Sequence, residues 1–379
     1  MKKIALLGST GSIGRQVIAC AKRYPERYQI VSLAAGSNAA LLNEQIESVK
    51  PKIAALADPK DVGAIKNLPQ GTVLYTGENA MLHAVTEQAD LVFVAVMGFV
   101  GLKSVIEAIN LGKNVAIANK ETLVAGGSIV TALAKEKGVE LIPVDSEHSA
   151  LWQCMGLRKD AAFKNLIITA SGGAFRDVPI ENLAVLKAAD ALRHPNWNMG
   201  KKITVDCATM VNKGLEVIEA KWLFDCGYDK IKVMYHPESI IHSMVEYDDG
   251  AIMAQMGFPS MELPISLAMS YPERLAGAPT LDLMGKTLHF GEIDYKRYPC
   301  FPLVLESAKK GNNYACALSA ANEEAVGLYL KDAIGFTEIY DYLAFALDKT
   351  TQKQATYENL VETDALARQF VFERFNGKN

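Results

Sequence analysis

The sequence predicts an α/β protein: an N-terminal Rossmann-like, doubly wound parallel sheet, a second α+β catalytic domain with a mixed sheet, and a C-terminal helical bundle. Three observations carry this prediction. Short, continuous apolar runs alternate with helical patterns over residues 1–145. From about Ser146 the apolar runs are separated by long polar loops, and two of them flank a hairpin signal. Beyond residue 302 the periodic stretches all have helical spacing.

Lys3–Leu7 is a short apolar strand, and Ser12–Tyr24 has helical spacing. Gln29–Ala35 and Asn38–Val49 repeat that pair, and Ile53–Leu56, Leu91–Val96, Asn114–Ala118 and Glu140–Val144 are further strands. Strands that are apolar without alternation are buried on both faces, as in a parallel sheet covered by helices. In the second region Leu166–Ala170, Ile203–Val205 and Ile231–Tyr235 read as strands, and Ser243–Tyr247 and Ala251–Met256 flank Asp248-Asp249-Gly250. An Asp-Gly pair between strands favours a tight hairpin, hence antiparallel pairing. Pro272, Pro279, Pro299 and Pro302 mark 272–302 as a connecting segment. Helices follow at 303–310, 313–330, 337–349 and 357–375, the last with Leu360, Ala367, Phe370, Val371 and Phe375 on one face. The expected domains are 1–145 for a dinucleotide, 146–271 for catalysis and 303–379 for the helical bundle.

A chain of 379 residues suits two or three domains and can bury a core without metal or disulfide support. Half the residues are apolar; 39 basic residues against 43 acidic ones leave a net charge of −4, unlike the basic excess of nucleic-acid binders. None of the six cysteines forms a CxxC pair, which suits reduced thiols in a cytosol. The apolar run after Met1-Lys2-Lys3 ends at Gly8, too soon for a signal peptide, and Leu91 to Leu102 falls short of the ~18 residues of a membrane span. The expectation is a soluble cytoplasmic protein with neither nucleic-acid nor membrane partners.

Gly8-Ser9-Thr10-Gly11-Ser12-Ile13-Gly14 follows the first strand and opens the first helix. Free N–H groups at such a helix start hold a dinucleotide pyrophosphate, although the spacing is GxxGxxG rather than GxGxxG. A site for NAD usually carries Asp or Glu ~20 residues further on. Here Ala34-Ala35-Gly36-Ser37-Asn38 offers none, and the first carboxylate is Glu44, which favours NADP.

Asp145-Ser146-Glu147 ends the last strand of the first region, where an extended chain points both carboxylates to one side. Glu216 lies on an expected helix whose core stripe is Leu215, Ile218 and Trp222, leaving Asn212 and Glu216 on a polar face with Lys213 beside them. Three carboxylates without histidine or thiol suit a hard cation, Mg2+ or Mn2+, although solvated loop carboxylates are commoner than ligands. Ser171-Gly172-Gly173 after a strand forms a phosphate cradle or an ordinary turn. Asn119-Lys120-Glu121 stands where it can reach a cofactor crevice, or is a surface loop with an ion pair. His194-Pro195-Asn196-Trp197-Asn198-Met199-Gly200 is a flap or a loop with Trp197 in the core. His236 and His242 bracket Pro237–Ile241, and isolated histidines are more often structural.

These segments, in this order and over essentially the whole chain, resemble the 1-deoxy-D-xylulose 5-phosphate reductoisomerase family. The resemblance implies an enzyme of isoprenoid precursor synthesis. It would convert 1-deoxy-D-xylulose 5-phosphate to 2-C-methyl-D-erythritol 4-phosphate as a homodimer, with NADPH and a divalent metal (Mg2+, Mn2+ or Co2+). It implies metal binding by Asp145, Glu147 and Glu216, and Lys120, Glu147 and His194 as catalytic residues. Substrate contacts would come from Lys120, Ser146, Glu147, His194 and Glu216, and from Ser171, Cys207, Asn212 and Lys213 at the phosphate. The implied cofactor site is Thr10, Gly11, Ser12, Ile13, Gly36, Ser37, Asn38, Asn119, Glu121 and Gly200, with Trp197 and Met199 on a closing loop opposite Pro259 and Met261. Two positions depart from the family pattern: Ser37 stands where a basic residue is common, and Cys207 stands at the place of a phosphate-binding serine. Two other classes compete on the residues alone. A semialdehyde dehydrogenase of similar plan would need a reactive cysteine, for which Cys154 is the candidate. A non-catalytic NADP sensor would need neither the three carboxylates nor Lys213.

Overall fold

The computed structural model describes residues 1–192, 195–197 and 199–377. In chain order the first elements are β1 (Lys2–Leu7), α1 (Ser12–Arg23), β2 (Tyr28–Ala35), α2 (Ala39–Val49), β3 (Ile53–Leu56), β4 (Val73–Thr76), α3 (Ala80–Ala84), β5 (Leu91–Val94), α4 (Gly101–Asn110), β6 (Asn114–Ile117), α5 (Lys120–Lys137) and β7 (Leu141–Pro143). Then come α6 (Ser146–Cys154), β8 (Asn165–Ala170), α7 (Ala188–Ala191), α8 (Lys201–Thr209), α9 (Val211–Leu223), β9 (Ile231–Tyr235), β10 (Ile241–Glu246), β11 (Ile252–Met256) and α10 (Glu262–Ser270). Four helices close the chain: α11 (Cys300–Lys310), α12 (Tyr314–Tyr329), α13 (Glu338–Lys349) and α14 (Tyr357–Asn376). Two compact units emerge, one made of 1–122, 130–145 and 261–279, the other of 123–129, 146–260 and 280–379. No helix among the described residues is long and apolar enough to cross a membrane.

The first unit is a seven-stranded parallel sheet in the order β4-β3-β2-β1-β5-β6-β7. Ile4–Leu7 of β1 and Val92–Val94 of β5 have no solvent exposure, as their unbroken apolar sequences require. The chain runs outward from β1 to β4, then returns to β5 on the other side of β1. That reversal opens a crevice at the carboxyl ends of β1 and β5, the usual ligand position in such sheets.

The second unit holds a four-stranded mixed sheet, β11-β10-β8-β9. β8 and β9 are parallel, and β10 is antiparallel to both β8 and β11, as the Asp-Gly hairpin predicts. Its helical core draws on α8, α9 and α11 to α14 and includes the buried Tyr329, Tyr342, Ala367 and Val371. α11 starts at Cys300 rather than 303, because Pro302 lies in its first turn, where a missing N–H leaves no bond unmade.

Two local expectations are corrected. Ile203–Val205 is not a strand but part of α8. A Lys202–Asp206 ion pair of 2.8 Å at i,i+4 supports the helix, and Val205 packs into the helical core, so tertiary burial overrides β-branched propensity. Cys207 therefore sits on a helix and not at a strand end. Asp145-Ser146-Glu147 is likewise not an extended strand end: β7 stops at Pro143, and Ser146 opens α6 with Glu147 in its first turn. A carboxylate there complements the positive helix start.

Candidate active site

In the first unit the glycine loop is held by short approaches that only glycine permits. Gly8 has φ +86°, and a Cβ there would strike the Ala95 carbonyl of the neighbouring strand end. A Cβ at Gly14 would strike the Gly8 carbonyl and Ser9, so α1 lies directly on the loop. The turn is fastened from below: Gly8 and Ser9 N–H groups donate to the Ala34 carbonyl at 2.8 and 2.9 Å, and Gln45 Nε2 donates to the Ser9 carbonyl at 2.9 Å. Gly11 caps α1 without a side-chain bond, and the first turn carries no acid. A helix start with neither a side-chain cap nor a carboxylate fits an anionic pyrophosphate. Thr10, Gly11, Ser12 and Ile13 stand at this start, and Gly36, Ser37 and Asn38 leave the end of β2 beside it.

Asn119 is buried at the start of α5. Its amide donates to the Gly98 carbonyl at 3.2 Å and to Glu121 at 2.9 Å, and it accepts from the Thr122 hydroxyl. Gly101 makes room for it, since a Cβ there would overlap the Asn119 amide oxygen. Lys120 pairs with Asp145 at 2.7 Å, with both side chains about nine-tenths buried. This buried ion pair sets the segment apart from the surface loop that is its alternative reading. Among the expected cofactor residues Gly200 alone lies in the second unit, where it caps α8 and its carbonyl accepts from Thr204.

In the second unit α6 and α9 build a buried polar cluster. Lys213 Nζ lies 2.8 Å from Glu147 Oε1 and in close contact with Glu216, while Asn212 donates to the other oxygen of Glu216. Asn212, Lys213 and Glu216 are each over nine-tenths buried, so the predicted polar face of α9 is an interior wall. Burial by itself disfavours the Lys213 ammonium, but Glu147 and Glu216 outweigh it and hold its pKa above the ordinary lysine value. Ser146 donates to Glu147 from the same turn. Two carboxylates sharing one ammonium in a low-dielectric setting form a donor set that a hard dication also fits.

Two residues that the sequence reading missed fasten this cluster. His148 Nε2 donates to the Glu216 carbonyl at 2.8 Å, and its Nδ1 faces Glu219 at 3.4 Å, all fully buried. The spacing Glu216-x-x-Glu219 and the placement of His148 beside Glu147 were visible signals. They pass unnoticed because nothing in the local spacing shows that α6 covers the face of α9 that carries Glu216.

The loop Ser171–Gly173 leaves β8 in the left-handed region at Gly172 (φ +82°) and Gly173 (φ +72°). A Cβ at Gly173 would strike the backbone of Cys207 and Ala208, which presses this loop onto the end of α8. Beneath it Ala170, Met210, Tyr298 and Phe301 form a small core, and Tyr298 donates to the Gly172 carbonyl at 2.9 Å. Arg176 donates to the Ser171 carbonyl at 3.2 Å and the Pro237 carbonyl at 2.7 Å. Ser171, Cys207, Asn212 and Lys213 thus all stand on segments of the second unit. His194 lies outside the described residues, as does Asn198. Trp197 is partly buried, its ring 5.7 Å from that of His242, and Asn196 donates to Pro237 and Ser239. His236 is structural: its Nε2 accepts from the Ile240 and Ile241 N–H groups, and its Nδ1 lies 2.9 Å from the His289 carbonyl.

Cys154 gives a reactive-thiol mechanism no support. Burial pushes its pKa up to about 11, and its Sγ faces the Ser243 carbonyl at 3.9 Å. At neutral pH it is a thiol, and the thiolate is the nucleophile.

A doubly wound unit with a glycine-rich turn, joined to a second unit with a buried carboxylate–lysine cluster, defines a dinucleotide-dependent reductase of two-unit plan. Residues 4–127 match the family described as 1-deoxy-D-xylulose 5-phosphate reductoisomerase, 141–224 its C-terminal domain, and 256–370 the DXP reductoisomerase C-terminal domain. The 1-deoxy-D-xylulose 5-phosphate reductoisomerase of Synechococcus sp. is 44% identical, over 98% of this chain and 97% of its own. The Zymomonas mobilis enzyme in complex with NADPH superposes with a TM-score of 0.90 at 36% identity, covering 99% of this chain and 98% of that one. A DOX-P reductoisomerase in complex with NADPH, fosmidomycin and magnesium gives 0.93 at 34% identity, with coverage of 99% and 98%. The chain belongs to the 1-deoxy-D-xylulose 5-phosphate reductoisomerase family.

Proposed function

We infer that this protein isomerises 1-deoxy-D-xylulose 5-phosphate and reduces the product to 2-C-methyl-D-erythritol 4-phosphate, in non-mevalonate isoprenoid precursor synthesis. The observation that carries the reading is the buried Glu147–Lys213–Glu216 cluster, in a chain that also has an uncapped glycine turn for a dinucleotide. Asp145, Glu147 and Glu216 would hold a divalent metal, Mg2+ or Mn2+, and Thr10–Ile13, Gly36–Asn38, Asn119, Glu121 and Gly200 would hold NADPH. When bound, the metal supplies a Lewis acid for the substrate carbonyl and its neighbouring hydroxyl, and NADPH supplies the hydride.

The protein's own groups do the rest. One carbon–carbon bond of the substrate breaks and another forms, giving a branched aldehyde that is then reduced. Lys120, tied to Asp145, is a donor for the substrate oxygens, and the Ser146 oxygen, whose proton goes to Glu147, accepts from a substrate hydroxyl, with His194 completing the contacts. Glu147 orients Ser146 and Lys213. Ser171, Cys207, Asn212 and Lys213 form the phosphate clamp, in which Lys213 is the one full positive charge. Because the phosphate is remote from the changing bonds, its binding energy can position the reacting carbons.

The test is NADPH oxidation with 1-deoxy-D-xylulose 5-phosphate, with and without Mg2+. Turnover that needs both substrate and metal is expected. Metal-independent reduction, or none with this substrate, would refute the reading. A cytoplasmic setting fits the cysteine usage.

The homodimer would use the edge strand β11, where Ile252 and Met253 are more than half exposed. An exposed apolar edge strand presents unpaired N–H and C=O groups that a second chain can pair with. Met253→Arg should therefore convert a dimer to a monomer at micromolar concentration in light scattering. An unchanged mass would exclude this edge.

A further inference from the structure

A cavity of about 650 Å3 lies at the carboxyl ends of β2 and β3, in the first unit. Ser37, Asn38, Ala40, Lys60, Asp61 and Gly63 line it. The two strand ends are in register, Ala35 opposite Leu56, so the chains leaving them run side by side. Ala57 N–H donates to the Ala35 carbonyl at 3.0 Å, and Asp58 N–H to the Gly36 carbonyl at 2.8 Å. This fixes the turn Pro59–Ala64 against the Gly36–Asn38 loop. In a doubly wound sheet the end of the second strand is where the adenosine ribose of a dinucleotide lies.

We propose that Lys60 is the residue of this chain that recognises the 2′-phosphate of the dinucleotide, the charge that Ser37 cannot supply. Among the described lining residues Lys60 is the only cation. Its ammonium is held only by a 3.5 Å contact with Asp58, and its side chain is 84% exposed. Such a pair is weak and yields readily to a better partner. A phosphate monoester carries about −1.5 to −2 charge near neutrality against −1 for Asp58, and a lysine offers it three donors. Asp58 has a second duty, since its other oxygen caps the turn by accepting from the Lys60 N–H at 3.1 Å. Asn38 commits its amide oxygen to the Leu41 N–H, which leaves its NH2 as the donor beside Ser37. Asp61 is the one anion in the lining and opposes the phosphate.

This assignment rests on the NADPH reading above, and calorimetry on the full chain separates the two. NADPH, NADH and 2′,5′-ADP are titrated into the wild type, Lys60→Gln, Lys60→Arg and Asp61→Asn. Lys60→Gln should weaken NADPH and 2′,5′-ADP about five- to tenfold, while NADH stays within about twofold. The loss should shrink as salt is raised, because the site is exposed. Lys60→Arg should keep the preference, and Asp61→Asn should tighten NADPH a few-fold. A Lys60→Gln chain with its NADPH preference intact, or with an equal loss for NADH, overturns the role of Lys60 and leaves NADPH as cofactor. A wild type that binds NADPH and NADH alike overturns both.

Discussion

Replacing Lys213 by alanine is expected to lower kcat/KM by ~10²-fold or more, the cost of losing a desolvated charged contact of about 3 kcal/mol. The structure adds a second consequence. Lys213 is the ammonium between Glu147 and Glu216, so its removal leaves two buried carboxylates facing each other. Breaking a buried pair by deleting one partner costs about 3–5 kcal/mol. The Lys213→Ala chain should therefore unfold several degrees lower than the wild type without metal. Mg2+ should raise its Tm by more than it raises the wild type's, since a dication then neutralises the same carboxylates. Calorimetric scans with and without Mg2+ measure this. Equal metal effects in both chains would mean that Glu147 and Glu216 are not metal ligands. A phosphate-free substrate analogue isolates the other role: at saturating Mg2+ the variant should lose far more activity with the phosphorylated substrate than with the analogue. Equal damage to both substrates would remove Lys213 from the phosphate clamp.

Glu216→Gln should abolish metal-dependent turnover, with a fall of about 10²-fold or more at limiting Mg2+, while NADPH binding stays within about twofold. Glu216 is held from three sides, by Lys213, by the Asn212 amide and, through its own carbonyl, by His148. Its carboxylate is therefore fixed in place before any ligand arrives. The glycine turn belongs to the other unit and contains no part of this cluster, so cofactor affinity has no reason to follow. Turnover against Mg2+ concentration and NADPH fluorescence together decide the matter. Full activity at low Mg2+ would strike Glu216 from the ligand set, and a parallel loss of NADPH binding would point to unfolding instead.

Local pattern alone settled a good deal. The parallel sheet was legible because β1, β2 and β5 are apolar without alternation, which only double-sided burial tolerates. The glycine turn was legible because Gly8 and Gly14 stand where a strand and a helix must come close. The β10–β11 hairpin was legible in Asp249-Gly250. These are short-range constraints, each complete within a dozen residues.

Long-range packing decided the rest. Ile203–Val205 has strand-forming residues, yet Val205 is buried in a helical core whose other members, such as Ala317 and Leu343, lie more than a hundred positions away. Asp145 and Glu147 looked like neighbours on a strand, but a helix begins between them at Ser146. The polar side of α9 was legible in its spacing, but that it is sealed by α6, with His148 and Glu219 added to the group, was not. Lys60 could not be connected with Ser37 by any spacing rule, because only the side-by-side pairing of β2 and β3 brings the turn after β3 to the loop after β2. The sequence by itself thus determined which residues carry charge, which can turn tightly and which must be buried. Which charges share a proton donor, a cavity or a cation depends on contacts between distant segments, and those are selected by the free energy of burying the whole core.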